Sequence, residues 1–174
     1  MLLTALMAAV ILQDAPAPHP ATPQQFEGRR SAFVQGTLNV AVGERATLRL
    51  NPNGTYDLVG VDRIQVGDVL PPAQGSRDPL NNAPAGTLRF SLQGGREVGS
   101  ILKVENSQDQ GLKYDGFVVR YVGGQARPLA ATSVCTVPPG MATFERWPEP
   151  VIQVVIGGLQ RSDDAVPTCP PHVE

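Results

Sequence analysis

The chain has 174 residues and a formal net charge of −2, with acids and bases interspersed along its length. That length fits one domain able to bury its own core. The lack of a basic patch, with only five Phe and three Tyr, argues against nucleic-acid binding. The 18 Gly and 17 Pro fall between short apolar runs and read as turns rather than one low-complexity tract.

The N-terminus opens on an uncharged apolar run, Met1–Leu12, whose one polar residue is Thr4. Such a run fits the apolar stretch of a secretory signal and is too short to span a bilayer, which takes about 20 residues. No Lys or Arg precedes it, and the best small-x-small cleavage site, Ala15-Pro16-Ala17, leaves Pro18 at the new terminus. The competing reading is a buried first strand or helix. The expected division is a signal peptide over 1–15, a Pro-rich neck over 16–30 and one β-domain over 31–174. Neither a lipid anchor nor stable membrane insertion after cleavage is expected. The first cysteine is Cys135, and no later segment is apolar for long enough to cross as a helix. The expected location is periplasmic or secreted.

Beyond the neck the pattern alternates with period two. Val34, Gly36, Leu38, Val40 and Val42 share one face of a first strand, and Ala46, Leu48 and Leu50 repeat the pattern. Asn51-Pro-Asn-Gly54 suits a type I turn, which makes 55–60 the return strand of a hairpin. Residues 61–70 predict a short strand or turn, and 71–84, with four prolines, a long surface loop. Leu88, Phe90 and Leu92 face inward on the next strand. Gly94-Gly95 signals a hairpin into Val98, Leu102 and Val104.

A polar turn over 106–111 leads to a strand over 114–122. Its apolar residues on both faces predict that both are covered. Gly123-Gly124 marks a hairpin into 128–137, and Pro138-Pro139-Gly140 breaks that strand. A short strand over 141–146 and the rigid Trp147–Pro150 follow. Val151–Ile156 is the best candidate for a central strand, with a bulge at Gly157-Gly158. Eight or nine short strands without a helical period predict an all-β antiparallel sandwich, with an immunoglobulin-like arrangement as one form of it and a β-barrel as the alternative.

In an oxidising compartment Cys135 and Cys169 are expected to join and tie the tail to the sheet. Their wide spacing disfavours a redox pair of the Cys-x-x-Cys kind. The two histidines, His19 in the neck and His172 near the C-terminus, lie outside any ordered pocket, so no nucleophile–histidine arrangement is expected. No metal site and no cofactor are expected either. Asp57, Asp62 and Asp68 are the candidates for carboxylate chemistry, and scattered turn acids are the plainer reading. Asn51-x-Asn53-Gly-x-x-Asp57 lacks the remaining ligands of a calcium loop.

The most distinctive stretch runs from Thr132 to Pro150 and contains Ser-Val-Cys135 and Phe144-Glu-Arg-Trp147-Pro. With the upstream Leu112-Lys-Tyr-Asp115 it resembles a pattern in uncharacterised exported bacterial proteins. There a Tyr-bearing strand precedes Ser-Val-Cys and then Phe-Glu-x-Trp-Pro. The resemblance covers about 45 C-terminal residues, implies a small secreted β-protein and carries no catalytic residues to transfer.

Two readings of function follow. One is a non-enzymatic structural or protein-interaction module of the cell envelope. The other is a carbohydrate or small-ligand module whose aromatic platform is Trp147, Phe144 and Tyr114. A carboxylate-based hydrolase ranks third. The expected partner is an envelope protein or a glycan.

Overall fold

The computed structural model describes residues 30–65, 67–71, 80–95, 99–122, 125–132 and 134–169. The leader, nearly all of the neck, His19 and His172 lie outside the described residues. The strands are β1 (Ala32–Val34), β2 (Thr37–Ala41), β3 (Glu44–Leu50), β4 (Tyr56–Arg63) and β5 (Thr87–Gly95). They continue with β6 (Gly99–Asn106), β7 (Gly111–Val122), β8 (Gln125–Thr132), β9 (Ala142–Trp147) and β10 (Val151–Ser162). No helix occurs among the described residues, so none is long and apolar enough to cross a membrane.

The strands form two antiparallel five-stranded sheets, ordered β1-β2-β10-β7-β8 (sheet A) and β4-β3-β5-β6-β9 (sheet B). The sheets face each other as a sandwich and do not close into a barrel.

The expected first strand is divided. Gln35 and Gly36 both take positive φ, 50° and 78°, and Val34 pairs with Thr37 across them. This is a two-residue hairpin of the type that favours left-handed residues. It leaves Val34 59% exposed and accounts for the tenth strand. At Val42–Gly43 the chain changes sheet. The Val42 amide donates to Ile152 O of sheet A (3.0 Å), and the next amide, on Gly43, donates to Leu92 O of sheet B (2.8 Å).

The Asn51–Gly54 turn forms as expected, with Gly54 N donating to Asn51 O at 2.9 Å. Asn53 Oδ1 accepts from the amide and hydroxyl of Thr55, so it caps the turn. From β4 the chain passes over β3 to reach β5, and its connection lies on the outward face of sheet B. Gly67 N donates to Gln93 Oε1 and Asn82 N to Glu105 Oε1, while Arg89 donates back to Asn82 O. Val69 in this connection is fully buried. Within it Gly67, Val69 and Asn82 are thus fastened to the sheet, while Pro71, Leu80 and Pro84 of the expected surface loop are exposed and its residues 72–79 lie outside the described residues. Together with the core on the other side the connection buries every residue of β6.

Burial of β6 takes in a charged pair. Lys103 Nζ lies 3.0 Å from Glu105 Oε1, and the two side chains are 11% and 2% exposed. Asn106, fully buried, closes the β6–β7 crossing: its side-chain amide donates to Gln110 O and Val137 O, and its Oδ1 accepts from Gln108 N. The core between the sheets gathers Leu38, Val40, Leu48, Phe90, Leu102 and Val154 with their neighbours.

Two further expectations are corrected. β7 is covered on its inward side only: Val118 is buried, but Phe117 on the outward side is 42% exposed. β8 ends at Thr132, so Cys135 lies in the connection beyond it and not in a strand. That connection is held by the isolated pair Leu112–Val137, whose amides bond reciprocally at 2.9 Å. β10 is central to sheet A, and its pairing with β7 shifts register between Gly157 and Gln160, which is the bulge expected there.

Lys103→Met leaves the Glu105 carboxylate buried without its counter-charge and is expected to cost about 3–5 kcal/mol in urea unfolding. Removing both charges, in Lys103→Met with Glu105→Leu, is expected to recover more than half of that loss. A double variant no more stable than the single one would show that the pair does not act as a unit.

Candidate functional site

Cys135 and Cys169 are joined, 34 residues apart, with a Cα–Cα distance of 4.1 Å. The bond fastens two segments into a strap. Thr136 N donates to Thr168 O (2.9 Å), and Thr168 N donates to Thr136 Oγ1 (2.7 Å). Through Val137 the strap is pinned to Leu112 at the start of β7.

Beside the strap is an open groove of about 520 Å³, within the range of about 300–1,000 Å³ usual for ligand clefts. Cys135, Thr136 and Thr168 form one side; β7 contributes Lys113 and Asp115, and β10 contributes Gly158 and Gln160. Alternation along β7 explains this placement. Leu112, Tyr114 and Val118 are buried, so Lys113, Asp115, Phe117 and Val119 project outward.

The bulge shapes the groove. Gly157 pairs with Asp115 and Gln160 with Lys113, so Gly158 and Leu159 together oppose the single Tyr114. Gly158 takes φ 58°, and a Cβ there would collide with Asp115 Oδ2. A residue with a side chain would therefore displace the carboxylate as well as strain the backbone.

The charges divide unevenly. Lys113 Nζ pairs with Asp164 Oδ2 at 3.1 Å. The hydrogen bond from Lys113, then that from Ser162, holds the Asp164 carboxyl below its ordinary range. Asp115, by contrast, has neither an ion pair nor a hydrogen bond to its carboxylate among the described residues. With Lys113 balanced by Asp164, the groove keeps one uncompensated negative charge.

The expected aromatic platform is not assembled. Trp147 is 8% exposed and Tyr114 6%. The indole donates from Nε1 to Thr132 Oγ1 at 3.3 Å, and so closes the seam between edge strands β8 and β9. The Tyr114 ring meets Phe90 edge-on at 5.9 Å, and burial raises its phenol well above the ordinary value, with the nearby Glu145 charge adding to the shift. Phe144 is half-buried and pairs with Lys103, whereas Trp147 pairs with Ser100; three residues apart on one strand, the two rings take opposite faces. Large rings supply most stabilisation when buried, and here two of the three are part of the core. The platform is thus replaced as the candidate site by the groove. Of the loop over 71–85, residues 72–79 lie outside the described residues.

The candidate acids lie beside basic residues of β3, with Asp68 Oδ2 3.8 Å from Arg45 Nη2. Asp57 stands opposite Arg49 and Asp62 opposite Arg45 in the β3–β4 pairing, while Asp68 Oδ2 accepts from Gln65 N. No group of three or more metal-ligating side chains forms among the described residues.

Gly158→Ala is expected to cost about 1–2 kcal/mol from the left-handed φ alone, measured by denaturant unfolding. A neutral effect would show that the bulge does not need glycine. Lys113→Met is expected to return the Asp164 carboxyl toward its ordinary pKa, followed by side-chain carbon NMR. A carboxyl depressed on folding stabilises the fold above its unfolded pKa. That contribution is lost as pH falls through the folded value, so the Lys113→Met variant should lose less stability on acidification. An unchanged Asp164 titration would remove Lys113 as its cause. No protein-family model matches this chain, and neither a curated protein nor a solved structure shows significant similarity to it.

Proposed function

We propose that this chain is an exported, non-enzymatic β-sandwich module that holds a protein partner in the cell envelope. The observation that carries the reading is the unequal treatment of the two outward faces. Over β5 and β6 the outward face of sheet B is covered by the described part of the β4–β5 connection, with Arg49, Asp57 and Arg146 left exposed, whereas sheet A presents Phe117, Val119 and Val155 outward beside the groove. Phe117 pairs with Val155 across β7 and β10, and Val119 and Val155 are half-buried. An apolar row rimmed by charged residues is characteristic of interaction surfaces.

The disulfide supports an oxidising location, periplasmic or secreted. The apolar leader Met1–Leu12 supports export. A structural role would rest on the same surface, because a module that organises neighbours must first hold them.

The test is photo-crosslinking in the intact envelope from benzoylphenylalanine placed at Gln153, which stands opposite Val119. A discrete adduct is expected, and Phe117→Ser should lower its yield several-fold. Because Phe117 is partly exposed, that change should alter stability by no more than about 1 kcal/mol. Equal, diffuse labelling from Gln153 and from Asp57 on the opposite sheet would contradict the reading.

A further inference from the structure

We infer that the groove beside the disulfide receives a basic side chain, arginine or lysine, from an extended segment of the partner, and that Asp115 is its counter-charge. The inference rests on the interaction reading above and adds the chemistry of what is bound.

Charge is the first argument. Lys113 is satisfied by Asp164 at 3.1 Å, which leaves the Asp115 carboxylate as the one formal charge of the groove without a counter-ion among the described residues. An acidic group entering there would meet this carboxylate and find Lys113 already occupied. A basic group would find an acceptor with no competing donor. Gln160 and Thr168, also lining the groove, can add neutral hydrogen bonds to a planar guanidinium.

Shape is the second argument. The bulge and the absent side chain of Gly158 make room for the Asp115 carboxylate, which rests against the Gly158 backbone at the groove. The volume of about 520 Å³ admits a long side chain from a neighbouring strand.

Spacing is the third. Asp115 and Phe117 are two residues apart on one outward face of β7, about 7 Å along the strand. An extended segment has the same period, so a basic residue over Asp115 sets the residue two positions away over Phe117 and Val155. The partner sequence is therefore basic-x-apolar, or its reverse. The charged residue supplies register and the apolar residue supplies burial.

The test uses the full chain with its disulfide intact and three acetylated, amidated pentapeptides. One is Thr-Arg-Thr-Leu-Thr, and the others carry citrulline or Glu in place of Arg. Binding is followed by amide NMR shifts. The Arg peptide is expected to move the amides of Asp115, Phe117 and Gly158 and to bind at least tenfold more tightly than the citrulline peptide. Asp115→Asn should abolish that preference without changing the thermal melt. Asp164→Asn, which frees Lys113 to compete, should weaken the Arg peptide several-fold.

Equal binding of the Arg and citrulline peptides, or a preference that survives Asp115→Asn, overturns the assignment of a basic group. If the shifts then map to Phe117 and Val155, the interaction reading stands without it. No shift on this face with any of the three peptides also overturns the assignment, and the interaction reading is then decided by the crosslinks from Gln153.

Discussion

The Glu105 carboxylate is the point on which the asymmetry of the molecule turns. One of its oxygens receives both the Lys103 ammonium and the amide of Asn82, so a single buried acceptor fixes a charge within β6 and pins the β4–β5 connection over the sheet. A carboxylate at that depth without those donors would be strongly destabilising. With them, the outward face of sheet B becomes a second packed layer. Val69 is buried there, and the side chains of Ser91 and Gln93 are closed off from solvent. The outward face of sheet B is thus covered over β5 and β6 and open at β4, and the described residues show no such layer over sheet A.

The disulfide has a comparable role on sheet A. Chain-entropy arithmetic for a loop of 34 residues gives about 3–4 kcal/mol at most, on top of the stability of a sandwich that already has an extensive core. Its local consequence is more specific. It holds the 134–137 segment and the 165–169 tail side by side, and these form the raised edge of the groove. The β10 bulge, which spends two residues where β7 has one, lowers the opposite side.

Much of this was legible in the chain. Alternation located β3, β5 and β6, and the nearly all-apolar run Val151–Ile156 located β10. The Asn-Pro-Asn-Gly turn, the bulge at Gly157-Gly158 and the cysteine pairing followed from local chemistry. What was hidden depended on contacts between distant segments. Gly36 falls in step with Val34 and Leu38, so the hairpin that separates β1 from β2 looks like a continuous strand; a residue without a side chain carries no hydropathic signal. Lys103 and Glu105 alternate with Leu102 and Val104 as solvent-facing residues should, and only the returning connection buries them. Phe117 and Val119 made β7 look covered on both faces, although apolar residues on an outward face equally describe an unoccupied binding surface. The aromatic residues of the C-terminal third drew attention to Trp147, whose indole is spent on closing the β8–β9 seam. Asp115, the residue that defines the groove, looked like any strand acid, because its lack of a counter-ion is set by Asp164, far along the chain, taking Lys113.

That last relation bears on what the groove is for. A carboxylate without partners on an exposed strand adds nothing to folding, and a glycine at a left-handed φ costs conformational entropy in the unfolded chain. Both features are concentrated at one place, next to a disulfide-bonded wall and an exposed Phe. A sheet built for stability alone would extend the Lys113–Asp164 pairing to Asp115 or replace Asp115 with a β-branched residue that packs on the pleat. On the proposed reading, a carboxylate kept bare and seated against a glycine that makes room for it waits for a counter-charge from outside the chain. The covering of sheet B over β5 and β6 fits the same proposal. On the proposed reading, with the sheet covered there, an incoming strand meets the surface of sheet A, where charge and apolar area are arranged at its own two-residue period.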